Sequence, residues 1–118
     1  MVSCQRYVPR RTRKRKKMKN EGDVKKEVKK LLNSYERDEM WYFMPPANGY
    51  GRSGIPDFVG NYKGNFFAIE TKFGSNSPTN NQLREIEHLV QSGAKCWIVR
   101  DSSIGGWIDE FRGWASLC

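Results

Sequence analysis

The chain has 118 residues, enough for one domain, and its 37% hydrophobic and 13% aromatic content lets a core form. No apolar run approaches membrane-spanning length, and no apolar N-terminal segment reads as a signal peptide, so a membrane role is excluded. Cys4, Cys96 and Cys118 are far apart, no CxxC pair exists and His88 is the lone histidine, which argues against zinc and suits a reducing cytoplasm.

The net charge of +8 is concentrated at one end. Residues 1–19 carry Arg6, Arg10, Arg11, Arg13, Lys14, Arg15, Lys16, Lys17 and Lys19, and no acid. The other 99 residues hold 12 bases against 13 acids, a net of −1. Such a polycation cannot bury enough apolar surface to order itself, which predicts a disordered basic arm over 1–19 and a folded domain over 20–118. The arm suits a nucleic acid backbone, whose counterions it would release. A solvated tail or a localisation-type basic run is the alternative.

A helix over about 21–36 follows from the spacing of Val24, Val28, Leu31, Leu32 and Tyr35. Glu21 projects close to that stripe, whereas Glu27 lies to one side. Glu21 is thus either an acid aimed at the core side or a first-turn carboxylate favoured by the helix dipole. Met40–Met44 reads as an aromatic-rich strand, closed by Pro45 and Pro46. A glycine-rich loop follows, with Tyr50, Arg52 and Ser53. Strands over 55–62 and 65–73 are joined by a tight Lys63-Gly64 turn. A second helix starts at Pro78 or Thr79, carries Leu83, Ile86, Leu89 and Val90 inward, and ends near Gly93. Residues 94–100 form a fourth strand. Residues 104–117 place Ile104, Ile108, Phe111 and Trp114 at helical spacing. With Trp107 this stripe is either a dimer face or a surface packed on its own sheet. The order αβββαβ plus a C-terminal helix gives an α/β fold with a mixed central sheet flanked by helices.

One stretch carries the chemistry. Along a strand alternate residues share a face, so Ala68, Glu70 and Lys72 point one way. Asp57 and Glu70 each lie six residues from the Lys63-Gly64 turn, which puts them opposite each other on neighbouring strands. Mg2+ or Mn2+ takes oxygen ligands and keeps several waters, so two carboxylates and the Thr71 carbonyl suffice for the protein's share. Such an ion activates water and offsets charge on a phosphate under attack. Lys72 would position the attacking water or take its proton. Arg52 in the preceding loop would hold a DNA phosphate near the ion, unless it is only a solvated loop charge. His88 reads as a surface residue.

GIPD, then IETK, then Gln82 resembles the PD-(D/E)xK nuclease superfamily, with its restriction-endonuclease-like core. More narrowly, GYGRSGIPDFVG, NFFAIETKFG and PTNNQ resemble the VRR-Nuc family, over about residues 20–101. The resemblance implies that Asp57 and Glu70 are metal ligands and that Lys72 is the catalytic lysine. It also implies that Gln82 helps order the site and that Glu21 is the opening-helix acid, with Glu27 as fallback. Thr71 stands where the family usually has an apolar β-branched residue. The small stand-alone members occur in phages and bacteria. They imply a Mg2+- or Mn2+-dependent DNA endonuclease in the cytoplasm of a bacterium or phage-infected host, acting as a homodimer on branched DNA such as four-way junctions. DNA contacts are expected from Tyr50, Arg52 and Ser53 and from Arg10, Arg11, Arg13, Lys14, Arg15, Lys16 and Lys17. The alternatives are a flap or nicking enzyme, a general DNA-degrading nuclease, and a basic nucleic-acid-binding protein without hydrolysis.

Overall fold

The computed structural model describes residues 17–35, 39–46 and 51–118. Residues Arg10, Arg11, Arg13, Lys14, Arg15 and Lys16 of the expected arm, and Tyr50 of the glycine-rich loop, lie outside the described residues. The elements are α1 (Glu21–Asn33), β1 (Met40–Phe43), β2 (Phe58–Tyr62), β3 (Asn65–Lys72), α2 (Asn80–Gln91), β4 (Lys95–Arg100) and α3 (Ile104–Ser116). This is the expected α/β order. The four strands lie in the order β1-β2-β3-β4. The first three pair antiparallel, and β4 runs parallel to β3 after a crossover through α2.

Local chemistry sets the ends of these elements. Asn20 caps α1 by accepting from the Asp23 N–H at 2.9 Å, and Glu21 and Asp23 lie in the first turn. The helix stops three residues short of the expected end because the Ser34 hydroxyl donates to the Leu31 carbonyl and takes it out of the helical ladder. Tyr35, freed from the helix, stacks edge-on to Tyr62 and Phe111 at 5.2 and 5.5 Å. The β2–β3 hairpin closes through Lys63 (φ 51°) and Gly64 (φ 87°), two positive-φ residues in succession, as a primed turn requires.

β2 begins at Phe58, later than the expected residue 55. Gly54 has φ +80°, and a Cβ there would lie 2.6 Å from the Asn81 carbonyl. The chain is therefore pressed onto the start of α2 before it can join the sheet. This contact puts Pro56 and Asp57 beside the N-terminus of α2. The loop between β3 and α2 is held too, since the Gly74 N–H donates to Asp101 Oδ1 at 2.9 Å.

The core lies on one side of the sheet. Val24, Val28, Leu31 and Leu32 of α1 meet Phe58, Tyr62, Phe67, Ile69, Trp97 and Val99, and α3 adds Ile104, Trp107, Phe111 and Ala115. Phe111 packs within 5.2–5.6 Å of Phe67, Trp97, Trp107 and Trp114. The stripe of α3 thus packs on its own sheet, and the alternative of a dimer face on it drops out.

The other side is thinly covered. α2 packs against β4 and has no fully buried residue. Trp41, Phe43 and Phe66 stay 59%, 45% and 42% exposed. No helix among the described residues is long and apolar enough to cross a membrane.

Candidate active site

β3 is an inner strand, paired with β2 on one side and β4 on the other, and from Phe67 to Lys72 every residue is buried. Burial on both faces should select apolar side chains. Glu70 at 1% exposure and Lys72 at 9% break that rule. Their neighbours explain how the chain tolerates them.

The register Phe58↔Ile69 sets Asp57 across from Glu70, as the count from the turn predicts. Asp57 Oδ2 accepts from the Thr71 N–H at 2.9 Å and from the Thr71 hydroxyl at 2.6 Å. Thr71 therefore tethers one oxygen of Asp57, which accounts for a threonine where the resemblance leads one to expect an apolar residue. Asp57 Oδ1 faces the Lys25 ammonium at 3.7 Å. That ammonium also lies 3.6 Å from Glu21 Oε2, one helical turn away.

Glu70 is held from two sides. Its Oε2 accepts from Gln82 Nε2 at 2.9 Å and lies 3.4 Å from Lys72 Nζ. Gln82 owes its aim to helix capping. The Thr79 hydroxyl accepts from the Gln82 N–H, and Gln82 Oε1 accepts from the Thr79 N–H at 2.8 Å. With its carbonyl spent on this capping box, the Gln82 amide can offer only its NH2 group to Glu70. Glu70 Oε1 is buried and has no hydrogen-bond partner. Burial, and next the charge of Asp57, push the Glu70 carboxyl up to about 7, with Lys72 pulling the other way.

This arrangement fits a divalent cation. A buried acceptor without a partner costs about 1–3 kcal/mol. A divalent ion held by the Asp57 and Glu70 carboxylates would give that oxygen a partner and offset two crowded charges. The donors are hard oxygens, which suit Mg2+ or Mn2+. Among the described residues, however, no three His, Cys, Asp or Glu side chains come together as a metal-binding group. Glu21, 34% exposed, meets the pair only through Lys25.

No family model and no curated protein matches the chain. A solved structure titled "VRR_NUC domain" does match, with a TM-score of 0.61 and 26% identity over 75% of this chain and 94% of that one. This is the VRR-Nuc fold. Its α/β layout and four-stranded mixed sheet agree with a PD-(D/E)xK core, and the likeness supports a nuclease-type function.

Within the VRR-Nuc fold the loop before Asp57 is tied to α2. Arg52 Nε donates to both carboxylate oxygens of Glu85 at 2.9 Å, and Ser53 Oγ accepts from Asn81 Nδ2 at 3.2 Å. Arg52 stays 64% exposed. The Arg52–Glu85 tether joins residues 33 positions apart and left no local mark in the sequence. Lys17 is exposed, and Met18 packs against the core just ahead of α1. Lys25 is the residue at this site that sequence reasoning missed. The signal was present, because it stands four residues after an acid already placed near the site.

Proposed function

We propose that the chain is a Mg2+- or Mn2+-dependent endonuclease that hydrolyses DNA phosphodiester bonds, selective for branched DNA such as four-way junctions. The observation that carries this reading is the meeting of Asp57 and Glu70 from adjacent strands, with Lys72 next along the same face. A divalent ion, when bound, makes water more acidic and neutralises charge gathering on the phosphate. Asp57 Oδ1, which faces the Lys25 ammonium, and the partnerless Glu70 Oε1 would hold the ion, with the Thr71 carbonyl as the third protein donor. Thr71 and Gln82 hold the two carboxylates in place. Lys72 orients the attacking water by hydrogen bonding, and its burial excludes competing solvent.

A branched substrate with two-fold symmetry calls for two paired cuts, and so for a homodimer. With the α3 stripe committed to the core, exposed Trp41 and Phe43 on edge strand β1 offer an apolar face to a second copy. The arm over residues 1–19, together with Arg52 and Ser53, is assigned to phosphate contacts, and the enzyme to the cytoplasm of a bacterium or phage-infected host.

The test is a panel of equal-length duplex, single-strand, splayed-arm, flap and four-way-junction DNAs at one salt concentration, with Mg2+, Mn2+ or EDTA. Cutting should need the ion and be fastest on the junction, by a protein that sediments as a dimer. Fastest cutting of a flap, or equal cutting of all forms, would select the corresponding alternative. Binding without ion-dependent cutting of any DNA would leave a non-catalytic binding protein.

Deleting residues 1–19 should weaken DNA binding and flatten its salt dependence. The log–log slope should fall by up to about 8, the limit if all nine charges touch phosphate. Fluorescence anisotropy at several salt concentrations reads this directly, and an unchanged slope would remove the arm from DNA contact.

A further inference from the structure

We propose that the groove between α2 and the outer face of β2 and β3 takes one unstacked base of the DNA substrate, next to the phosphate under attack. The inference rests on the nuclease reading and names a part of the substrate that the site receives besides that phosphate.

The groove holds about 440 Å³, within the range of small-molecule sites, and Pro56, the neighbour of Asp57, lines it. Val59 and Phe66 form its floor. They alternate with the core residues Phe58 and Phe67 and so face away from the core. Glu85 and His88 of α2 form one wall, and Arg52 stands on the loop opposite. Gln82, which holds Glu70, lies one turn before Glu85 on the same face of α2. The groove thus begins beside the two carboxylates and runs away from them along the helix. Val59 is two residues past Asp57, about 7 Å along an extended chain. That is within reach of a nucleotide next to the one under attack.

The chemistry of the groove suits a base. Phe66 stays 42% exposed beside a helix that buries no residue fully. An open aromatic ring on a groove floor is a stacking surface that any base can use. Glu85 is only 14% exposed, and both its oxygens accept from Arg52 Nε at 2.9 Å. That pairing offsets the cost of an acid along an apolar groove. It also leaves the other guanidinium N–H groups of Arg52 for the phosphate of the inserted nucleotide. His88 adds a ring nitrogen that can bond a base edge.

A base reaches this groove only after leaving its stack. In a regular duplex that step costs unpairing and unstacking, whereas at a bulge, a branch or a single-stranded end the base is already loose. The groove therefore favours irregular DNA over plain duplex through stacking, without reading sequence.

Binding tests this without recourse to activity. Fluorescence anisotropy of the full chain in EDTA compares three labelled DNAs: a paired duplex, the same duplex with one unpaired thymine, and that DNA with an abasic site in place of the unpaired thymine. Wild type should bind the thymine DNA about 5- to 100-fold tighter than the abasic one, the range that stacking on one ring supplies. Phe66→Ala should lose that advantage and bind the abasic and paired DNAs as wild type does, whereas Phe66→Trp should keep it. A melting curve on each variant ensures that only folded protein is compared. Equal binding of thymine and abasic DNA by wild type would overturn the inference, as would a Phe66→Ala loss shared by all three DNAs, an advantage that survives Phe66→Ala, or no binding of any of them. Sedimentation of Phe66→Ala as a monomer where wild type is a dimer would give the groove to a second copy and overturn it too. The nuclease reading fails separately, by absence of ion-dependent cutting in the same wild-type protein. A thymine advantage without cutting would leave the groove to a binding protein, and cutting without that advantage would leave the nuclease and strike the groove.

Discussion

Asp57→Asn and Lys72→Met should each slow the ion-dependent nicking of supercoiled plasmid by about 10²–10⁴-fold, the range that a positioned catalytic group supplies. The two losses should differ in kind. Asparagine keeps an oxygen that can still accept from Thr71, so the local fold should hold. It loses the anionic Oδ1, so ion binding weakens and added Mn2+ should recover part of the rate. Methionine at position 72 fills the same buried space without the ammonium. Ion binding should persist there, and no concentration of Mn2+ should restore cutting. Plasmid nicking across an Mn2+ series, with EDTA blanks and a melting curve for each variant, separates the two cases. Wild-type nicking by Lys72→Met would take Lys72 out of the chemistry. Wild-type ion affinity in Asp57→Asn would take Asp57 out of the ion's ligand set.

The parts of this site readable in the sequence are those fixed by short-range periodicity. Strand alternation puts Glu70 and Lys72 on one face. The Lys63-Gly64 turn makes the Asp57–Glu70 pairing a matter of counting. The apolar stripe of α1 sets where Glu21 and its neighbours emerge, and the α3 stripe marks a core surface. Less was available wherever a long-range contact overrides local preference. Gly54 presses on α2 and delays β2, and nothing near Gly54 in sequence names Asn81 as its neighbour. Arg52 finds Glu85 only once α2 lies across the loop. The hydroxyl of Thr71 looks incidental until Asp57 is known to sit within 2.6 Å of it. Gln82 was placed through family resemblance, since periodicity alone marks it only as an early residue of α2. Its capping box then supplies the physical reason that its NH2 group faces Glu70. Lys25 shows the opposite failure. Its spacing from Glu21 was visible, but its second partner, Asp57, comes from just ahead of β2, 32 positions on.

Without divalent ions, the protein should lose stability as pH rises from about 4.5 to about 7, and Glu70→Gln should abolish that loss. The Glu70 carboxyl is raised from its ordinary 4.5 to about 7 by burial, with the charge of Asp57 adding to the effect. Below pH 4.5 the folded and unfolded chains both hold this proton, and it makes no difference to stability. Between 4.5 and 7 the unfolded chain has released the proton while the folded chain keeps it, so each step up in pH favours unfolding. Above 7 both states are ionised and the full cost stands. At about 1.4 kcal/mol per unit this comes to about 3 kcal/mol, or ~10 °C in melting temperature for a chain of this size. Glutamine is neutral throughout and nearly the same shape, so its curve should lack this step and lie above wild type at pH 8 in EDTA. Saturating Mg2+ should reverse the order, because ion binding stabilises only the carboxylate form and the folded state that displays it. Melting temperatures from pH 4 to 8, in EDTA and in Mg2+, make the comparison as a difference between the two proteins, in which the other titrating groups cancel. Parallel curves in EDTA would show that Glu70 ionises in the fold at no cost. A Mg2+ shift equal in both proteins would place the ion elsewhere.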